Sequence, residues 1–301
     1  MKSVTLAYKR GTAAKTHRFS YLKGSDHIMQ KRYLQLYSIF AQLREDFDGS
    51  LQKVKDMGYT GVEFAGTFYN DYTAAELKAK LDALDLDVVG WHIRTEQVPE
   101  VLDYMAELGV RYLIDPMRAF STQAEALAFT EELNTVGKLC AEKGIRFGYH
   151  NHRHEFLTGE DGYLMETLLL NTDPRYVTFQ LDVGWAVCSG VDATAFLTKY
   201  ADRFQLIHVK ECAKVGGAVP PMDFSAFPKD ENGRPVIPDE LRAKMRAERE
   251  WDVATGTGLI DWAAVRDAAT YAEAFIIERE WSYKEDVFAC IQEDCDYLKQ
   301  L

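Results

Sequence analysis

A repeating alternation of short strand-like runs and amphipathic stretches, from Tyr33 onward, constrains the fold most strongly. Eight runs rich in β-branched and aromatic residues are each followed by a stretch with helical periodicity. The runs are RYLQLYS, YTGVEFAG, LDVVGWHI, VRYLIDP, IRFGYHNH, YVTFQLDVG, FQLIHVKE and AFIIERE. Strands that alternate with helices form parallel sheets covered by helices. Eight such units in roughly 270 residues predict an α/β fold, a (β/α)8 TIM barrel.

The stretches between these runs carry helix signals. Helices are predicted at residues 48–57, 73–84, 99–108, 122–143, 162–170, 193–200, from 261, and at 287–301. Asp48, Thr73, Ser121 and Asp261 precede four of them and can accept the free N–H groups of a first helical turn. A doubly wound open sheet is the alternative, but no G-x-G-x-x-G follows the first strand.

Two parts of the chain depart from the repeat. Residues 212–255 are rich in Gly, Pro and charge, and predict a long loop insertion after strand 7 with a short helix at Asp239–Arg249. This insertion would rise over the C-terminal face of the barrel, where it could close on substrate or meet a second subunit. Residues 1–28 are basic and lack a signal-peptide core, so we predict an N-terminal extension, with the barrel at 29–301.

Charge and composition limit the partners. The net charge of −12 argues against nucleic acid or an anionic membrane as the main partner. No apolar run approaches the ~20 residues of a membrane helix. The five cysteines are scattered and form no CxxC, which is typical of reduced thiols in the cytoplasm. We expect a cytoplasmic protein that binds a small molecule, as a homo-oligomer or with a partner subunit.

Ionisable residues end the last four predicted strands. Side chains at alternate positions of a strand share one face, and active sites of this fold lie at the C-terminal strand ends. The inward-facing residues predicted there are His150, His152, Asp182, His208, Lys210, Glu278 and Glu280. Buried carboxylates are costly unless a cation neutralises them. Asp182, His208 and Glu278 with a strand-five residue would suit a divalent ion, of which we favour Mn²⁺ and leave Zn²⁺, Co²⁺ and Mg²⁺ open.

Five motifs in the same order carry a family resemblance. YHNHRHEF, QLDVGWAVCSGVD, IHVKE, GTGLIDW and IIERE resemble the sugar phosphate isomerase/epimerase family, xylose isomerase-like TIM barrels distantly similar to endonuclease IV. The resemblance covers about residues 29–301. It implies one divalent metal held by Glu, Asp, His and Glu, the last three falling on Asp182, His208 and Glu278. Where many members have the first Glu, this chain has His150. The metal would take His150 or His152, with the other histidine as the base, or it would have only three protein ligands.

Each of the remaining polar residues has a predicted functional role and a structural alternative. Glu280 is a candidate proton-transfer group. The candidate substrate contacts are Glu63, His92, Glu155, Trp185 and Lys210. His154 is expected to be an exposed loop residue. Any of these could instead form hydrogen bonds at the rim or pack in the core, and Asp182 could cap the following turn.

The leading hypothesis is a metal-dependent isomerase or epimerase that removes a proton next to a metal-bound carbonyl or hydroxyl of a sugar, keto-sugar or cyclitol. The resemblance also implies lyases, such as inosose or dehydroshikimate dehydratases and C-glycoside deglycosidase subunits. A strand-five histidine suits β-elimination at least as well as epimerisation. A non-catalytic sugar-binding barrel subunit is a further alternative. An endonuclease IV-type phosphodiesterase is disfavoured by the acidic charge and only seven histidines.

Overall fold

Eight parallel strands pair in chain order, and the eighth returns to the first. The computed structural model describes residues 31–230 and 235–301. In this part of the chain, β8 pairs with β1 and closes the barrel. The strands are β1 (Arg32–Gln35), β2 (Gly61–Ala65), β3 (Asp87–His92), β4 (Tyr112–Asp115), β5 (Arg146–His150), β6 (Val177–Asp182), β7 (Phe204–Val209) and β8 (Ala274–Ile277). The predicted (β/α)8 TIM barrel is confirmed.

Helices follow the strands and surround the barrel. Those described are α1 (Phe40–Glu45), α2 (Phe47–Asp56), α3 (Ala74–Ala83), α4 (Val98–Leu108), α5 (Gln123–Glu142), α6 (Leu164–Asn171), α7 (Val183–Cys188), α8 (Ala193–Lys199), α9 (Asp239–Arg249), α10 (Trp262–Ala268) and α11 (Val287–Leu298). Thr73 and Asp261 cap α3 and α10 as predicted. The predicted caps Asp48 and Ser121 are each displaced: Asp46 caps α2 and Thr122 caps α5.

The barrel interior changes from apolar to polar toward the C-terminal strand ends. Its lower part is filled by a separate buried cluster made of Tyr33, Val89, Tyr112, Ile114, Leu206, Ala274 and Ile276. Two residues further along β7 and β8, the inward positions become His208 and Glu278. Because alternate residues share a face, the same strands that complete this apolar floor also carry the polar groups above it.

The segment between β7 and α10 is tied at both ends. Ala213 N donates to Trp251 O at 2.9 Å, and Leu259 N donates to Cys212 O at 2.9 Å. The segment contains α9, as predicted. The predicted extension at residues 1–28 lies outside the described residues. No helix in the described ranges has the length and apolar content needed to cross a membrane.

Candidate metal centre and active site

Four side chains from the ends of the last four strands converge at the barrel mouth. His150, Asp182, His208 and Glu278 each offer one ligand atom, and these atoms all lie within 4.8 Å of one another. All four residues are buried. Two nitrogens and two carboxylate oxygens form the mixed donor set that divalent first-row metals accept.

The two oxygens of Asp182 have different environments. Oδ1 accepts a hydrogen bond from Trp185 N at 2.7 Å and so caps α7. Oδ2 is buried without a hydrogen-bond partner, with Lys210 Nζ 3.6 Å away. Burial raises the pKa of Asp182 to about 6. A buried carboxylate oxygen that lacks a partner is costly, and a cation at this point would satisfy it. The donor set therefore fits a metal ion.

Gln180 determines which nitrogen of His150 is free. A carboxylate can only accept, so the Gln180 Nε2 group donates to Glu63 Oε1 at 2.8 Å. The Gln180 Oε1 atom then accepts from His92 Nε2 at 2.7 Å and from His150 Nδ1 at 3.0 Å. The Nε2 atom of His150 is therefore left with a lone pair, and it lies 3.9 Å from Asp182 Oδ2.

Glu63 performs the same task for His208. Glu63 Oε2 accepts from Gln35 Nε2 at 2.8 Å and pairs with His208 Nε2 at 2.7 Å. His208 Nδ1 then faces the cluster, 3.3 Å from Glu278 Oε2. Burial raises the pKa of Glu63, but His92 and His208 lower it to about 2. Both oxygens of Glu63 are occupied, so its geometry supports orientation of a ligand histidine rather than the predicted substrate contact.

Lys210 is the counter-ion of the cluster. Its Nζ atom lies 3.0 Å from Glu278 Oε2 and forms an ion pair with Glu280. It also lies 4.7 Å from the centre of the Trp185 ring. Burial lowers the pKa of Lys210, but Glu278, Glu280 and Asp182 together raise it well above its ordinary value.

His152 lies beside the cluster without belonging to it. Its ring centre is 5.1 Å from that of His150 and 6.0 Å from that of Trp185. Its Nδ1 atom is buried without a hydrogen-bond partner, as is Trp185 Nε1. Burial lowers the pKa of His152 to about 4. The two strand-five histidines therefore differ: His150 is in the potential ligand group, and His152 has an unused ring nitrogen.

The structure separates the rest of the HRHEF stretch from the cluster. His154 is only 2% exposed, so the expectation of an exposed loop residue is wrong; its Nε2 lies 2.8 Å from Arg118 O. Glu155 accepts from Tyr149 OH at 2.6 Å and from His152 N at 2.9 Å. Glu155 thus holds the loop that carries His152, and its contacts do not support the predicted role in substrate binding.

Two residues of this region were missed by sequence reasoning. Asn151 accepts from Asp182 N at 3.0 Å. Asp252, at the far end of the long segment, accepts from Glu280 N at 2.8 Å and from Arg279 Nη1 at 3.1 Å. Neither residue carries a local signal. Gln180 did carry a local signal, because it faces inward two residues before Asp182. Its role could not be predicted from that position alone.

A family model described as xylose isomerase-like TIM barrel matches residues 51–301. The chain belongs to this family. The resemblance seen in the sequence motifs is thereby confirmed.

Curated relatives of this chain are enzymes. The inosose dehydratase of Geobacillus kaustophilus (strain HTA426) is 26% identical over 194 residues, which are 54% of this chain and 61% of that protein. An inosose dehydratase 2 of Bacillus cereus is 26% identical over 224 residues, 64% of this chain and 73% of that protein. The chain thus covers less than two thirds of the first of these relatives.

The fold likeness extends over nearly the whole chain. A crystal structure of a sugar phosphate isomerase/epimerase from Parabacteroides distasonis ATCC 8503 superposes with a TM-score of 0.68 at 23% identity. The superposition covers 92% of this chain and 96% of that one. At this identity the likeness shows the shared barrel fold, and the curated relatives confirm the prediction of an enzyme.

Proposed function

We propose that this protein is a metal-dependent lyase that eliminates water from a keto-cyclitol or keto-sugar. The observation that carries the proposal is the unpartnered, buried Nδ1 atom of His152 beside the four-residue cluster. In the tautomer that carries the ring proton on Nε2, this nitrogen has a free lone pair and can accept a proton. The similarity to inosose dehydratases supports the same reaction class.

His150, Asp182, His208 and Glu278 would hold the metal. When bound, a divalent ion would polarise the carbonyl next to the carbon that loses its proton. His152 would take that proton, and the C–O bond at the adjacent carbon would break as the C=C bond forms. The protonated His152 can return its proton to the leaving hydroxyl when both groups leave from the same face, so one base suffices.

The substrate we propose carries no phosphate. The basic groups around the site are already paired: Lys210 with carboxylates, Arg279 with Asp252 and Asp294. Arg153 donates to Gly217 O at 2.9 Å. A phosphate would have to compete with these partners, whereas the hydroxyls of an unphosphorylated sugar would not.

Isomerisation or epimerisation, the reaction that the sequence favours, is the second candidate. Epimerisation needs a second group on the opposite face of the carbon. Glu280, whose side chain is 24% exposed and paired with Lys210, is the group that could serve. Elimination is preferred because it does not require this ion pair to open.

The metal is tested with two matched cap variants. Asp182 and Asp192 both cap short helices, with Oδ1 accepting from Trp185 N at 2.7 Å and Ala195 N at 2.9 Å. Asp182→Ala and Asp192→Ala both lose a helix cap, which by itself costs about 0.5–2 kcal/mol. Only Asp182→Ala should lose Mn²⁺, measured by plasma mass spectrometry. Retention of the ion in Asp182→Ala would refute the ligand assignment.

The reaction is tested with keto-inositols and keto-hexoses in D₂O, followed by mass spectrometry. Loss of water from a substrate supports the lyase. Deuterium incorporation without loss of water supports the isomerase or epimerase instead. His152→Ala should keep the ion and lose turnover, whereas His150→Ala should lose both. A fully metal-loaded protein that does neither on any member of the panel would favour a sugar-binding barrel.

A further inference from the structure

A cleft of about 260 Å³ opens where the chain leaves β1 and β8. It is lined by three aromatic side chains, Tyr37, Phe40 and Trp281, and its polar lining includes Gln42 and Glu280. Tyr37 is 53% exposed, although it is a large aromatic residue. Exposed aromatic side chains that line a concave surface are the usual composition of a small-molecule site.

The cleft adjoins the metal centre through one side chain. Glu280 lines the cleft and forms an ion pair with Lys210. Lys210 Nζ in turn lies 3.0 Å from Glu278 Oε2, a member of the candidate ligand set. Glu280 and Lys210 therefore connect the aromatic cleft to the candidate ligand set.

A second cavity beside Lys210 is much smaller. It measures about 30 Å³ and is lined in part by Trp185, Trp251 and Asp252. That volume accommodates a water or two, since one water needs about 10–15 Å³ on this measure. A ring-sized substituent fits the cleft and does not fit this cavity.

The size and charge of the cleft indicate what it would take. Pockets that bury a whole drug-sized ligand measure roughly 300–1,000 Å³, so this cleft suits one ring of a larger molecule. The cation among its lining residues, Arg279, is bound to Asp294 at 2.8 Å and to Asp252 at 3.1 Å and is not available to an anion. Arg246 lies 5.6 Å from the centre of the Trp281 ring and is not part of the lining. The aromatic lining therefore favours an uncharged ring over an anion.

We propose that this cleft is a second subsite, which binds an uncharged ring joined through a glycosidic oxygen to the reacting sugar. The inference rests on the proposed function, because it places the reacting sugar at the metal centre. It narrows the keto-sugar alternative of that function, because the reacting keto-sugar would carry a ring-bearing glycosidic substituent. An aryl group and a second sugar ring share the required chemistry, an uncharged ring with an apolar face that can stack on Tyr37 or Trp281.

The test measures equilibrium binding to the Mn²⁺-loaded protein, so it does not need turnover. Methyl, 4-nitrophenyl and glycosyl derivatives of glucose, galactose and xylose are compared by ligand-observed NMR titration. At least one ring-bearing compound should bind about 3- to 10-fold more tightly than its methyl counterpart, the gain expected from one aromatic contact. Comparison of the 4-nitrophenyl and glycosyl derivatives shows whether the subsite prefers an aryl ring or a second sugar ring.

Variants locate the gain. Trp281→Ala should lower the affinity for ring-bearing compounds to that for the methyl glycosides, whereas Trp281→Phe should keep the gain. Tyr37→Ala should have the same effect as Trp281→Ala, and its exposed position tolerates truncation. Leu170→Ala, at a 67% exposed side chain near the end of α6, is the control and should change nothing.

Two results would overturn the subsite: no ring-bearing compound binds better than its methyl counterpart, or the gain survives in both alanine variants. If the protein cannot be loaded with Mn²⁺ and the same comparison on the metal-free protein still shows the gain, only the proposed function is refuted.

Discussion

At the scale of single residues, the protein's own cations offset part of the negative charge of the centre. The buried carboxylates of Glu63, Asp182 and Glu278 share the barrel mouth with Lys210 and His208. Burial lowers the pKa of His208, but Glu63 and Glu278 raise it to about 10. His208 therefore carries a proton on both ring nitrogens at neutral pH. A metal that binds Nδ1 must displace one of them, because a histidine ligand has to be deprotonated at the ligating nitrogen.

We predict that Mn²⁺ binding at pH 7 releases about one proton from His208. The affinity should rise with pH toward about 10, and fall more steeply below about 6, where the raised pKa of Asp182 adds a second proton to displace. Calorimetric titration in buffers of different ionisation enthalpy counts the protons. Glu63→Gln removes one of the negative charges that hold the proton on His208, so this variant should release fewer protons when it binds Mn²⁺. Heats that do not depend on the buffer would contradict this account.

Gln180 gives a second prediction at this scale. Gln180→Leu removes the acceptor for His150 Nδ1 and the donor to Glu63. The imidazole of His150 would lose its fixed tautomer, and Mn²⁺ affinity should fall about 10- to 100-fold, as for other groups that orient metal ligands. Gln52→Leu, on the exposed face of α2, is the matched control. Equal metal affinity in the two variants, by competition with a chelating dye, would show that Gln180 does not orient the ligand.

The sequence could predict which residues face the barrel mouth, but not which of them contact each other. Alternation along a strand is a local property, and it brought His150, Asp182, His208 and Glu278 together as expected. The contacts of Gln180 come from β2, β3 and β5, so its role depends on barrel closure. Glu155 shows the reverse: it neighbours three histidines in sequence, yet its carboxylate binds Tyr149 OH.

At the scale of elements, the long segment after β7 is joined to the active-site end of β8. Asp252 accepts from the main-chain N–H groups of Glu280 at 2.8 Å and Trp281 at 3.3 Å. It also binds Arg279, which continues to Asp294 on α11. One side chain thus connects the end of the segment, the loop that follows β8 and the last helix.

We predict that Asp252→Ala destabilises this junction by about 1.5–3 kcal/mol, the range for hydrogen bonds with a charged partner. Trypsin should then cut within residues 213–250 faster than in the wild type. The barrel should stay intact, because the substitution removes the hydrogen bonds that hold the end of the segment and changes no residue of a strand. Asp239→Ala, on the exposed first turn of α9, should leave both the melting temperature and the cleavage rate unchanged. Unchanged cleavage in Asp252→Ala would mean that other contacts hold the segment.

The bounds of a helix could be predicted where the residues of that helix themselves carry the sequence signal. Helix α9 was predicted at its observed bounds, because charged residues with good helix propensity mark it. Helices α1 and α7 were not predicted. The α7 sequence, VGWAVC, contains a glycine and two β-branched residues and has little helix propensity, but Asp182 caps it at the end of β6.

At the scale of the whole molecule, the eight strand–helix units give the barrel an apolar floor and a polar mouth. The floor is a closed apolar cluster, and the polar groups lie one inward position above it on the same strands. This division follows from the order and length of the strands. Both are visible in the alternation of strand-like and helical stretches, which is why that alternation alone predicted the fold. The β1–β8 cleft has no such signal, because its lining comes from opposite ends of the chain.

The closure of the barrel also leads to a prediction about its N-terminal boundary. β8 pairs with β1 through Arg32, Tyr33 and Leu34, so the pairing that completes the sheet uses residues after the predicted 1–28 extension. We expect a chain beginning at Met29 to melt within a few degrees of the full chain and to bind Mn²⁺ with the same affinity. Light scattering after size-exclusion chromatography of both chains shows whether residues 1–28 contribute to oligomerisation. A shortened chain that melts much earlier or loses the ion would place these residues in the barrel's own structure and refute the predicted boundary.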